Sequence, residues 1–81
     1  MEELKVHILR KLYRHTYVGR RHLAIRDLQQ GLPKEKRVMR DIKQAVKELM
    51  NEDYLILQHI DRVSINPRML KKVKEVIRFR G

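Results

Sequence analysis

The stretch from Lys34 to Glu52 constrains the fold more than any other. Val38, Ile42, Ala45, Val46 and Leu49 follow the i, i+4, i+7, i+8, i+11 template of a helix that buries one face. The spacing predicts a helix over about residues 34–52. Tyr54-Leu55-Ile56-Leu57-Gln58 follows at once, too short for a helix and rich in strand formers. Arg62-Val63-Ser64-Ile65 then alternates polar and apolar residues. Together these runs read as a hairpin over about 54–65, although its His59-Ile60-Asp61 tip carries no Asn-Gly or Asp-Gly turn signal.

The flanking segments are shorter. Leu4, Ile8 and Leu12, widened by Val6 and Leu9, predict a helix over about 2–15. Glu2 and Glu3 suit the positive end of its dipole, and Lys11, Arg14 and His15 the negative end. A basic connection, Thr16 to His22, leads to Leu23-Ala24-Ile25, read as one small strand. Arg26 to Gln30 suits a short helix, stopped by Gly31 and Pro33. Asn66-Pro67 is an N-cap followed by Pro at the first helical position. It opens a last helix to about Arg78, with Met69, Leu70, Val73, Val76 and Ile77 on its apolar face. The expected fold is mainly α with a small β-hairpin, in the order α-β-α-α-β-β-α, as a single domain over 1–81.

Charge narrows the function. The 81 residues carry 20 Lys and Arg against 10 Asp and Glu, a net charge of +10. Such a basic domain usually meets a polyanion. The absence of Cys removes disulfide scaffolds and Cys-based zinc sites, and fits a cytoplasmic protein. A chain rich in Lys, Arg and Glu also suits a thermophile. No apolar run reaches the roughly 18 residues of a membrane span, and Met1-Glu2-Glu3 is acidic where a secretory signal is basic. No Gly-rich phosphate loop, HExxH or Ser–His–Asp pattern is legible, so no enzyme and no cofactor are expected. His7, His15, His22 and His59 are scattered, so no metal site is expected.

On the predicted 34–52 helix, Lys36, Arg40, Lys43 and Lys47 fall on one stripe at about 100° per residue, nearly opposite the apolar one. Cations repeated along a helix match phosphates lining a groove. Arg37 and Gln44 lie beside the stripe and have the chemistry for bidentate contacts to base edges. Asp41 and Glu48 lie farther round, where neighbouring cations can pair with them. Surface helices also carry Lys and Arg for solubility, but no acid interrupts this stripe. Lys34 and Lys36 would oppose the dipole at the helix start, a conflict that a bound phosphate relieves.

The element order, with the Tyr54–Ile65 hairpin directly after Leu49-Met50-Asn51-Glu52-Asp53, resembles the winged helix-turn-helix family over nearly the whole chain. The resemblance implies a supporting helix near 26–30, a recognition helix at 34–52 lying in a major groove, and a wing at 54–65. The supporting helix is shorter than the family pattern, and the wing tip lacks a run of basic residues.

Arg20 and Arg21 beside His22 are phosphate anchors on this reading, or otherwise an ordinary polar loop. Arg62 at the wing base either enters a minor groove or is a strand-face Arg paired with Asp61 or solvent. Tyr13, Tyr17 and Tyr54 suit packing better than base stacking. The last helix covers the core or supplies a homodimer surface, and its cap argues against a membrane-lying helix.

The leading expectation is a duplex-DNA-binding protein, by family analogy a transcriptional regulator. Structured-RNA binding or ribosome association is the alternative. A protein-interaction module within a nucleic-acid machine is the third.

Overall fold

The computed structural model describes Met1 to Arg80, with side chains described through Arg78. Its three α-helices are α1, Glu3–Arg14; α2, Met39–Asn51; and α3, Leu70–Arg80. Its strands are β1, Leu23–Ala24; β2, Leu55–Gln58; and β3, Arg62–Ile65. They form one antiparallel sheet with β3 in the centre, between β1 and β2. The domain is thus a small compact α+β unit, 32 × 31 × 22 Å along its principal axes.

The apolar periods read from the sequence close one core. Ile8, Leu9 and Leu12 of α1, Ile42 and Leu49 of α2, Val63 and Ile65 of β3 and Val73 of α3 are all fully buried. Val73 places α3 on that core, and α1 packs against both α2 and α3. The hairpin pairs Leu55↔Ile65 and Leu57↔Val63; Leu55, Val63 and Ile65 are buried against the helices, whereas Leu57 stays 40% exposed. β1 adds only two residues, Leu23↔Val63 and Ala24↔Arg62. It ends there because the Ile25 amide donates to Asp61 O and the chain turns into a 3-10 helix, Ile25–Gln29.

That 3-10 helix stands where the sequence reading placed a short α-helix, so the second helical element is not α-helical. It still buries Leu28 completely. The expected helix over 34–52 is also corrected. Lys34–Lys36 form a separate 3-10 turn after Pro33, closed by Lys36 N donating to Pro33 O and Arg37 N to Lys34 O. Val38 is then extended, with φ −97° and ψ 109°, and acts as the N-cap of α2. The physical cause is local. Pro33 starts the turn, and Arg37 Nε donates to Leu32 O at 2.8 Å, which holds the bend shut. Val38 is consequently 40% exposed instead of packed with Ile42.

The last helix enters through Pro67–Met69, another 3-10 turn that runs into α3. Asn66 caps it by accepting from Arg68 N at 3.1 Å. The Asn66 side-chain amide also donates to Asp53 O, tying this entry to the end of α2. No helix among the described residues is long and apolar enough to cross a membrane.

Candidate nucleic-acid interface

The chemistry of the outer surface begins with α2. Its buried residues are Ile42, Ala45, Val46 and Leu49. At about 100° per residue, Arg40, Lys43 and Lys47 fall on the opposite side, and all three are exposed. Among the described side chains none of the three enters an ion pair.

The acids of α2 do not cancel this face equally. Glu48 is drawn toward α1, where Lys5 Nζ lies 2.7 Å from its carboxylate. Lys5 is itself nearly buried, with 8% of its surface exposed. Its hydrogen bond to Glu48 holds the Glu48 carboxyl below the usual carboxylate range, helped by a second bond from Gln44. The same hydrogen bond holds the Lys5 ammonium above its ordinary value, against the opposing effect of burial. An interhelical pair thus neutralises the acid nearest the stripe. Asp41 remains exposed near the start of α2, where the helix dipole favours it.

Gln44 is exposed on the same outer side. Its amide donates to Glu48 Oε2 at 3.0 Å, so reading a base edge with both ends of the amide requires breaking that contact. Arg37 lies before α2 with its Nε committed to Leu32 O. Its terminal amino groups keep the planar fork that suits a carbonyl–imine base edge.

Lys34 and Lys36 do not belong to the stripe. They stand on the preceding 3-10 turn, outside α2, so the dipole conflict expected for them does not arise. Lys36 Nζ instead lies 3.7 Å from the Glu3 carboxylate, and both groups are well exposed. Such a pair contributes little to stability.

The base of the β2–β3 hairpin is built differently. Arg62 Nε donates to His22 Nδ1 at 2.7 Å, not to Asp61. His22 in turn meets His59 edge-on, with ring centroids 5.4 Å apart. Gln58 and Ser64 both donate to Gly19 O, Ser64 at 2.7 Å and from full burial. Gly19 N donates to Ile65 O, and Ile65 N to Tyr17 O. The loop bearing Arg20 and Arg21 is therefore fastened to the hairpin. Both arginines are exposed, and the Arg21 guanidinium stands 5.1 Å over the Tyr17 ring. That is a cation–π contact. Gly19 sits at φ +63°, a conformation that suits glycine.

The predicted residues thus fall into three groups. Arg40, Lys43, Gln44 and Lys47 share the outer face of α2. Arg20, Arg21 and Arg62 belong to the loop and the hairpin base. Lys34, Lys36 and Arg37 occupy the turn before α2. Two further residues share these surfaces. Asn51 is exposed in the last turn of α2, four residues after Lys47, and extending the stripe by one turn would have found it. Arg26 is exposed on the 3-10 helix that packs against α2, a position that no sequence period marks. The hairpin tip is apolar and acidic, with Ile60 91% exposed beside Asp61.

Neither a family model, a curated protein nor a solved structure matches the chain.

Proposed function

We propose that this domain is a winged helix-turn-helix module that binds double-stranded DNA, with α2 as its recognition helix. The observation that carries the reading is the outer face of α2. Arg40, Lys43 and Lys47 are exposed and unpaired among the described side chains, while Glu48 is neutralised by Lys5 from another helix. A helix that buries one side and presents cations on the other can lie along a groove and displace counterions.

On this reading Gln44 and Arg37 supply base readout. Arg62, with Arg20 and Arg21 on the fastened loop, supplies backbone contacts beside the wing. The tip itself offers no cation, so the hairpin acts through its base. The mechanism is non-covalent, and transcriptional regulation follows by analogy with other domains of this architecture.

The test is fluorescence anisotropy with a random duplex DNA and a structured RNA of equal length, each titrated over a range of salt. Tighter, salt-dependent binding to the duplex is expected. A preference for the RNA would refute the DNA assignment and move the same face to an RNA partner. Weak binding to both would leave the charge as solvation and turn the search to protein partners.

A further inference from the structure

A strongly cationic segment also lies outside α2. Residues 67–80 hold six Lys and Arg against the single acid Glu75, which is half of the net charge of +10. Arg68, Lys71, Lys72, Lys74 and Arg78 are all exposed. None of these five forms an ion pair among the described side chains.

Helical geometry orders them. At about 100° per residue, Lys71, Lys74 and Arg78 fall within one narrow stripe, away from the fully buried Val73. Stability does not account for this arrangement. Lys71 and Lys72 open α3, whose first turn contains no acid to offset them. Glu75, four residues after Lys71, does not pair with it. A face built only for solubility would interleave acids with its lysines to gain such pairs.

The position of α3 gives the charge a direction. α1 packs against both α2 and α3, whereas α2 and α3 make at most marginal contact. Each therefore turns its cations away from a shared central helix.

We propose that the outer face of α3 is a second phosphate-binding surface, which lets one domain bridge two nucleic-acid segments. The inference rests on α2 holding the first segment. The ligand of α3 is the phosphate backbone of a second duplex, bound through Lys71, Lys74 and Arg78 with Arg68 and Lys72 at the margins. The contacts proposed are to phosphates, which position a duplex without reading its sequence.

The experiment uses the full chain and two duplexes of one sequence, one biotinylated on beads and one fluorescent. Capture of the fluorescent duplex reports bridging, and anisotropy reports binding of a single duplex. The variant is Lys71→Gln, Lys72→Gln and Lys74→Gln together, with circular dichroism to verify the fold and light scattering to give the oligomeric state. The expected result is single-duplex affinity within about threefold of wild type at matched salt, with bridging reduced at least tenfold. Undiminished bridging by this variant would overturn the proposal. So would an equal loss in both assays, which would place α3 on the same duplex as α2. Bridging by a dimer that the variant disrupts would also overturn it, because one domain would then hold one duplex. Failure of the underlying reading looks different. Replacing Arg40, Lys43 and Lys47 would then leave single-duplex binding intact.

Discussion

Replacing Arg40, Lys43 and Lys47 by Gln together measures directly what the α2 face does. All three side chains are exposed and without ion pairs among the described residues. Surface changes of this kind normally alter stability by less than about 0.5 kcal/mol, so the fold should persist. Each phosphate neutralised on B-form DNA contributes about 0.9 to the slope of log affinity against log salt. If all three contact phosphates, the variant's slope should be shallower by about 2.7. Between 50 and 200 mM salt the wild type should then lose roughly 40-fold more affinity than the variant. Anisotropy titrations at five or six salt concentrations give both slopes. Parallel lines for wild type and variant would refute the reasoning, whatever the absolute affinities. A change of about one unit would mean that a single cation reaches the backbone and that the stripe lies across the groove instead of along it.

Other perturbations probe the scaffold. The Lys5–Glu48 pair stabilises the fold above the ordinary carboxylate range, and this is lost as pH falls through the lowered Glu48 value; on the alkaline side it is lost as pH rises through the raised Lys5 value. Thermal melts of wild type and Lys5→Met should therefore differ at neutral pH and converge in acid, and a pH-independent difference would count against the pair. Leu49→Ala should cost about 2–5 kcal/mol in denaturant unfolding, because Leu49 is fully buried at the centre of the core. A loss under about 1 kcal/mol would mean the site collapses or is less packed than it stands here. Asn66→Ala removes both the bond from Arg68 N and the bond to Asp53 O, and should cost about 1 kcal/mol. No loss in urea unfolding would assign those two bonds to solvent exchange.

Much of this architecture was legible as period and punctuation. Ile42, Ala45, Val46 and Leu49 marked the buried side of α2, and Asn66-Pro67 marked the entry to α3. The period misled at Val38, which sits four residues before Ile42 and yet is exposed. What decides Val38 is the bend held by Arg37 and Leu32, a side-chain-to-backbone bond that no apolar pattern records. The same bend removed Lys36 from the cationic stripe. Long-range pairs were equally silent. Lys5 and Glu48 lie on different helices, and His22 reaches Arg62 only because β1 pairs with β3. For a protein partner of Arg62 the sequence offers only its neighbour Asp61, because sequence order reports adjacency along the chain, not across a sheet.

The carbonyl of Gly19, held by Gln58 and Ser64, has a thermodynamic consequence. Ordering a free loop on binding costs about 1–2 kcal/mol per residue in backbone entropy alone. Here that cost falls within folding, because Tyr17, Gly19 and the hairpin are already joined by backbone and side-chain bonds. Arg20 and Arg21 are presented from a backbone with little freedom left to lose. A polyanion that meets them gains charge neutralisation without having to freeze the chain that carries it.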